Sequence, residues 1–331
     1  MENSVQLDNA IKWNSKVKII VSDVDETIAD LFLPASLEVI EELNMLLSEG
    51  KSIVFVTGAG LESVRKRIIN LMDPKVRKQI LISHCSGAEV IGFDEVGELQ
   101  QEPHYSTYDK ALTQHQKDQW RDIVKQIISE FRLEIHPPLP LEQFEELYGN
   151  HPLTVMYEDR GPQITLEFVN AYNLRTEQIE ELKNHLRNFD MADLRIPVME
   201  RVSQLLEEEN IPITPRLGGM FALDLAIKGV SKTTPVQFIL NDQEVLKSIG
   251  MNRHDISDSQ AIEVWGDKFS VLNGGTDRHI SEALSPSVRS IDFRGENPEE
   301  FLPGYNIVLW TGNKRLCEGL LEYLQSRALS V

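Results

Sequence analysis

Cysteine is nearly missing from this chain: Cys85 and Cys317 are the two thiols in 331 residues. They stand far apart, which excludes a disulfide framework and leaves a reduced, cytoplasmic protein as the expectation. Neither has a sequence neighbour that would lower a thiol pKa, so no catalytic cysteine is expected. Long apolar runs are also absent. None approaches the roughly 20 residues that cross a bilayer. The opening stretch MENSVQLDNAIKWNSK has no apolar centre, so neither a membrane span nor a signal peptide is expected. Positive charge is scarce, with 33 Lys and Arg against 52 Asp and Glu and a net charge of −19. That balance argues against a broad basic face, and so against nucleic acid or an anionic membrane as partner. The eight histidines show no metal-type spacing. There is no internal repeat and no low-complexity tract.

What is present is ordinary for a globular protein: 41% hydrophobic and 26% charged residues. The length favours two domains. The first third alternates strand and helix. Residues 17–23 (VKIIVSD), 53–57 (IVFVT) and 80–83 (ILIS) are short apolar runs that predict buried strands. Between the first two, Pro34 opens an amphipathic stretch with Leu37, Ile40, Leu43, Leu46 and Leu47 at helical spacing, and Gly50 ends it. Such alternation implies a parallel sheet with helices on both faces. From about residue 103 the rhythm changes. A helix (HQKDQWRDIVKQIISEF), two strands joined by RGP (LTVMYED and QITLEFVN), two more helices (RTEQIEELKNHLRNF and IPVMERVSQLLEEEN) and the strands IPITP and MFALDLAIK predict helices on an antiparallel sheet. After residue 229 the strand–helix rhythm returns. The prediction is an α/β parallel-sheet core, residues 1–102 and 227–331, split by an inserted α+β module, residues 103–226.

The strongest chemical signal is VKIIVSDVDETI, with Asp23 and Asp25 at the end of a buried strand. Ligands in open α/β sheets bind beyond the carboxyl ends of the strands, and a spacing of two puts both side chains on one side of extended chain. Two carboxylates there repel unless a cation or proton intervenes. Mg²⁺ suits them, as a hard ion that takes oxygen ligands and pairs with phosphate. One carboxylate can then attack phosphorus while the other handles the leaving-group proton. The plain alternative is a solvated Asp-rich turn. Three further elements bear on the choice. IVFVTGAG places Thr57 at a strand end, with Gly58 and Gly60 opening a helix, either an anion site or an ordinary cap. GVSKTTPVQFIL places Lys232 just before a helix, where it can neutralise a phosphate or remain a solvated surface cation. Lys228 is its rival, and Lys232 is preferred because it sits at the helix start. EVWGDKFSVLNGGTDRHI places Asp267 at a strand end, as a candidate metal ligand, and Asp277 ten residues on, as a second ligand or only a helix cap.

The order of these elements, Asp-x-Asp-x-Thr, strand-end Thr, Lys, then Gly-Asp…Asp, resembles the four motifs of the haloacid dehalogenase superfamily, across almost the whole chain. HCSGAEVIGFDEVGELQ and GGMFALDLAIKGVSK look like the segments that leave and re-enter the core in the Cof-like sugar phosphatases. GDKFSVLNGGTD looks like the metal loop of eukaryotic-type phosphomannomutases. The resemblance implies a Rossmann-like core with an inserted α+β cap; because phosphoryl transfer works best with water excluded and the end of a parallel sheet is open, the module from about residue 103 to 226 is expected to close over the site. It implies Asp23 as nucleophile, Asp25 as acid/base, Thr57, Gly58 and Lys232 on phosphate, and Mg²⁺ held by Asp23, the backbone carbonyl of Asp25 and Asp267, with Asp277 nearby. Two departures stand out. Glu26 occupies a position that is usually Gly in this branch, and the segment from Asp267 to Asp277 is about two residues longer than in the mutases.

The function so implied is phosphatase action on a small phosphorylated metabolite, a sugar or polyol phosphate. A phosphosugar mutase is the alternative, but its cap signature of the Asn-Ser-Pro-x-Gly-Arg type is absent; QITLEFVNAYNLRT stands there, with Arg175 as a conceivable substitute. A catalytically silent binding module is the third reading. Arg160, Arg195 and Arg216 are candidate substrate contacts in the cap.

Overall fold

The computed structural model describes residues 11–183, 186 and 190–329. The chain divides into two compact units, with the cuts at Tyr105/Ser106 and Val230/Ser231. The C-terminal part of the predicted helix RTEQIEELKNHLRNF lies largely outside the described residues.

The first unit begins with β1 (Ile19–Ser22), α1 (Leu37–Ser48), β2 (Ser52–Val56), α2 (Leu61–Arg67), β3 (Ile80–His84), β4 (Glu89–Ile91) and β5 (Tyr105–Ser106), which runs into the boundary. The inserted unit follows with α3 (Tyr108–Ala111), α4 (Gln114–Glu130), β6 (Glu134–His136), α5 (Leu141–Tyr148), β7 (Thr154–Asp159), β8 (Gln163–Glu167), α6 (Thr176–Lys183), α7 (Arg195–Glu208), β9 (Ile213–Gly218) and β10 (Ala222–Ile227). The chain then returns to the first unit as α8 (Thr233–Asn241), α9 (Gln243–Ser248), β11 (Ile262–Gly266), α10 (Arg278–Glu282), β12 (Arg289–Asp292), β13 (Ile307–Leu309) and α11 (Leu316–Gln325).

The core sheet runs β13-β12-β11-β1-β2-β3-β4-β5. Its first six strands are parallel. β4 is antiparallel to β3, because only residues 85–88 separate them, too few for the crossover that a parallel partner needs. β1 and β2 are buried along their whole length, and alternate residues feed opposite faces. Ile20, Ile53 and Phe55 pack with α1 and α11. Ile19, Val21, Val54 and Val56 pack with α8, α9 and α10. This two-sided burial is why the strands read as unbroken apolar runs. In α1 the N-cap Ser36 accepts from the Val39 amide, which puts Leu37 at the first helical position, turned outward and 67% exposed. Val39, not Leu37, completes the buried stripe with Ile40, Leu43, Leu46 and Leu47.

The inserted unit has a five-stranded sheet, β6-β7-β8-β10-β9. The β7–β8 hairpin and the β9–β10 pair are antiparallel. The edge strand β6 is parallel to β7, so the sheet is mixed rather than wholly antiparallel; α5 lies between the two strands and supplies the crossover. Ile164, Leu166, Leu223 and Leu225 are buried, while Gln163, Thr165 and Asp224 share the other face, where both Gln163 and Thr165 donate to Asp224 Oδ1 at 2.9 and 2.8 Å.

Candidate active site

The carboxyl ends of β1 and β11 lie side by side, since the strands pair Ser22 with Trp265. The Asp23 amide extends the ladder by donating to the Trp265 carbonyl at 2.9 Å. Asp23 and Asp267 therefore leave neighbouring strands at the same level. Asp277 returns to them from the N-cap position of α10. One carboxylate oxygen from each of Asp23, Asp267 and Asp277 falls within 4.8 Å of the others, and all three residues are buried.

Asp277 does not act as a helix cap through its side chain. Its Oδ2 accepts from the amides of Asp267 and Lys268, both at 3.0 Å, and so folds the loop back on itself. A side chain at Gly266 would press on Asp277 Oδ2 at 2.7 Å, so glycine before Asp267 makes room for this turn. Glu296 accepts from the amides of Phe269 and Ser270 at 2.5 and 2.7 Å. The long loop is thus held at both ends.

Lys232 enters from the N-cap of α8. It is 5% exposed and its Nζ lies 2.6 Å from Asp23 Oδ1 and 2.7 Å from Asp277 Oδ1. The start of α8 is seated against the turn after β3: a Cβ on Gly87, where φ is +97°, would meet Pro235 at 2.6 Å and the Ser231 carbonyl at 2.7 Å. Lys228, the rival, is exposed and belongs to the inserted unit. Thr57, fully buried at the end of β2, accepts from the Ala59 amide at 3.0 Å, and its carbonyl accepts from Ser86 at 2.8 Å. The 57–60 loop carries Gly58 and leads into α2, with Gly60 at the N-cap.

Asp25 is placed differently. Its carboxylate is not part of the acidic cluster; Oδ1 accepts from Arg67 Nη1 at 2.7 Å. Arg67, at the end of α2, also donates to the carbonyls of Leu33 and Asp30 at 2.8 and 2.7 Å. It is 7% exposed. No motif pointed to Arg67, because its partners lie 34 to 42 residues away. Glu26 sits at φ +59°, the left-handed region where a side chain costs roughly 1 kcal/mol; this is the physical sense of a glycine there. Its carboxylate pairs with Arg294 and lies 3.4 Å from Lys268 Nζ.

The electrostatics follow from crowding. Burial first, and then the neighbouring Asp277, push the Asp23 carboxyl up to about 7, although Lys232 opposes them. Burial, Asp277 and Asp23 push Asp267 up to about 8, against Lys268 and Arg294. Burial works against the Lys232 charge, but Asp23 and Asp277 outweigh it and hold its pKa above the usual lysine value. Burial and mutual repulsion, only partly offset by Lys232, Lys268 and Arg294, call for a cation or a proton in the cluster. Asp267 Oδ1 is buried and has no hydrogen-bond partner among the described residues. An oxygen in that state fits a hard cation, which supplies both the missing contact and the missing charge.

No family model matches the chain and no curated protein matches it in sequence. Solved structures do. A haloacid dehalogenase-like hydrolase from Bacteroides thetaiotaomicron superposes with a TM-score of 0.56 at 15% identity, over 93% of this chain and 98% of that one. The chain has the haloacid dehalogenase fold. More distant likenesses include a trehalose-6-phosphate phosphatase related protein, with a TM-score of 0.49 at 12% identity over 94% and 99% of the two chains. An IMP-nucleotidase of Plasmodium falciparum has a TM-score of 0.47 at 15% identity over 94% and 70%. Within a haloacid dehalogenase fold the described core is the parallel sheet, and the acidic cluster lies at its carboxyl end, where open sheets bind ligands. No helix among the described residues is long and apolar enough to cross a membrane.

In the inserted unit, two of the candidate substrate contacts are engaged locally. Arg160 pairs with Glu158 at 2.6 Å, and Arg195, 7% exposed, pairs with Asp193 at 2.7 Å. Arg216 is half-buried on β9. Arg175 is exposed and lies beside Gln178.

Proposed function

We propose that this chain is a Mg²⁺-dependent phosphatase that hydrolyses a small phosphorylated metabolite, a sugar or polyol phosphate, with Asp23 as nucleophile. The observation that carries it is the meeting of Asp23, Asp267 and Asp277, with the Lys232 ammonium on Asp23 and Asp277 and one buried Asp267 oxygen unpartnered. A cluster of that kind fits a divalent cation and a phosphoryl group together. Asp23 and Asp267, with the Asp25 carbonyl, would hold Mg²⁺, which supplies charge neutralisation to the phosphoryl oxygens. Both Asp277 oxygens are already engaged, so it acts by holding Lys232 and the loop.

An Asp23 oxygen attacks phosphorus, the ester P–O bond breaks, and the proton on Asp25 passes to the departing oxygen. Water then attacks the aspartyl-phosphate as Asp25 takes its proton, releasing phosphate and restoring Asp23. Lys232 and Thr57, with the Gly58 amide, hold the phosphoryl oxygens. Arg67 holds the Asp25 carboxylate out of the acidic cluster. Substrate selection belongs, on this proposal, to the inserted unit. The mutase alternative needs a basic clamp for a second phosphate; the acid partners of Arg160 and Arg195 weigh against it.

The test is phosphate release from p-nitrophenyl phosphate and from a panel of sugar, polyol and nucleotide phosphates, with Mg²⁺ and with EDTA. Turnover that EDTA abolishes and that favours sugar or polyol esters supports the proposal. Phosphate migration without release would favour the mutase, and binding with no chemistry the silent module.

A further inference from the structure

Asp267 has two carboxylate oxygens in very different surroundings. Oδ1 is buried and unpartnered among the described residues. Oδ2 is covered by Arg294, whose Nη2 and Nε lie at 2.5 and 3.1 Å; Nε also lies 3.2 Å from the Asp267 carbonyl. The same Nη2 contacts Glu26 Oε2. The guanidinium therefore joins the loop after β1 to the loop after β11, the two segments that carry Asp23 and Asp267. Its own position is set by Asp292, fully buried at the end of β12. Asp292 accepts from the amides of Arg294, Gly295 and Glu296 at 3.0, 2.9 and 2.7 Å, so the backbone that launches Arg294 is a closed turn. Glu26 is a second acidic partner of the guanidinium, from the other loop. This gives the left-handed Glu26 a use that glycine could not serve.

Resting on the phosphatase reading of this site, we infer that Arg294, steadied by Glu26, is a positioning residue that sets which divalent cation the site takes. With Oδ2 occupied, Asp267 can offer a cation only Oδ1. Mg²⁺ takes six oxygens in a strict octahedron and is content with one oxygen per carboxylate. Ca²⁺ takes six to eight oxygens and readily grips both oxygens of one carboxylate. A guanidinium fork on Oδ2 closes the two-oxygen grip and so favours Mg²⁺. Lysine at this position would offer a point charge, without the fork that spans Oδ2, the carbonyl and Glu26 at once.

The experiment is calorimetric titration of MgCl₂ and of CaCl₂ into the metal-free chain of both units, comparing wild type with Arg294→Ala, Arg294→Lys and Asp267→Asn. A change of net charge or a loosened loop alters both affinities alike and cancels in their ratio. The expectation is that Arg294→Ala moves the ratio of Mg²⁺ to Ca²⁺ affinity toward Ca²⁺ by about tenfold or more, the scale on which outer-shell partners act, with Arg294→Lys intermediate. A ratio unchanged within about twofold in both variants, while Asp267→Asn still abolishes binding, overturns the inference and leaves the phosphatase reading standing. Wild type that binds neither ion, or Asp267→Asn that binds as wild type does, overturns both. If Arg294→Ala does not fold, Glu26→Gln reads the same ratio; it loosens the guanidinium without removing it, and a shift in the same direction is the supporting result.

Discussion

Lys232 Nζ lies 2.6 Å from Asp23 Oδ1 across 209 residues of chain. The contact joins the first strand of the core to the first helix after the inserted unit. It places the one buried ammonium of the site on the candidate nucleophile.

Removing that ammonium is expected to harm stability as well as turnover. Lys232→Ala leaves Asp23 and Asp277 buried without their partner, and breaking a buried ion pair from one side costs roughly 3–5 kcal/mol. Urea denaturation of the metal-free protein measures this. A loss below about 1 kcal/mol would mean that Lys232 is not the main counter-charge.

Asp23→Asn keeps nearly the same shape and removes the attacking oxygen. Turnover is expected to fall by about three powers of ten or more, roughly 4 kcal/mol of barrier, with the far-ultraviolet circular dichroism unchanged. Near-normal phosphate release from this variant would place the chemistry elsewhere.

Asp25→Ala should separate the two half-reactions. Loss of acid/base help costs about 10²–10⁴ in rate, but p-nitrophenolate departs without a proton while an alkoxide does not. Rapid mixing with p-nitrophenyl phosphate is expected to give a burst near one equivalent and then slow turnover. Equal losses on both half-reactions would count against Asp25 as the proton carrier.

The raised carboxyls at Asp23 and Asp267 make the metal-free protein sensitive to pH. A folded pKa of about 7 or about 8, against about 4 when unfolded, means that the native state binds more protons between those values. Stability therefore declines as pH rises through that interval. Unfolding temperature is expected to fall from about pH 5.5 to 8.5 without metal, and to be restored most by Mg²⁺ at the alkaline end. Asp267→Asn should flatten the slope; an unaltered slope would assign it to other groups.

Much of the core is legible in the amino-acid sequence alone. β1, β2 and β3 are short, buried on both faces and rich in β-branched residues, and local pattern is enough to mark such strands. Asp23, Thr57 and Asp267 each follow a strand directly, so their place at the carboxyl end of the sheet follows once the strands are known. The mixed sheet of the inserted unit is not legible in this way. β6 spans three residues, too few for a periodic signal, and its parallel pairing depends on where α5 returns the chain.

The alternation of the core strands and helices, and the acidic residues that end those strands, are written in the chain's local pattern, because hydrophobic periodicity and strand-end position are local properties. Three outcomes needed the folded chain: that Lys232 bridges Asp23 and Asp277, that Asp277 turns its carboxylate onto backbone amides, and that Arg67 and Arg294 hold Asp25 and Asp267. Those pairings join segments up to 209 residues apart, as with Asp23 and Lys232. An arginine carries no local sign of which carboxylate it will reach; the sheet order and the two closed loops settle it by bringing charge to charge in a buried place.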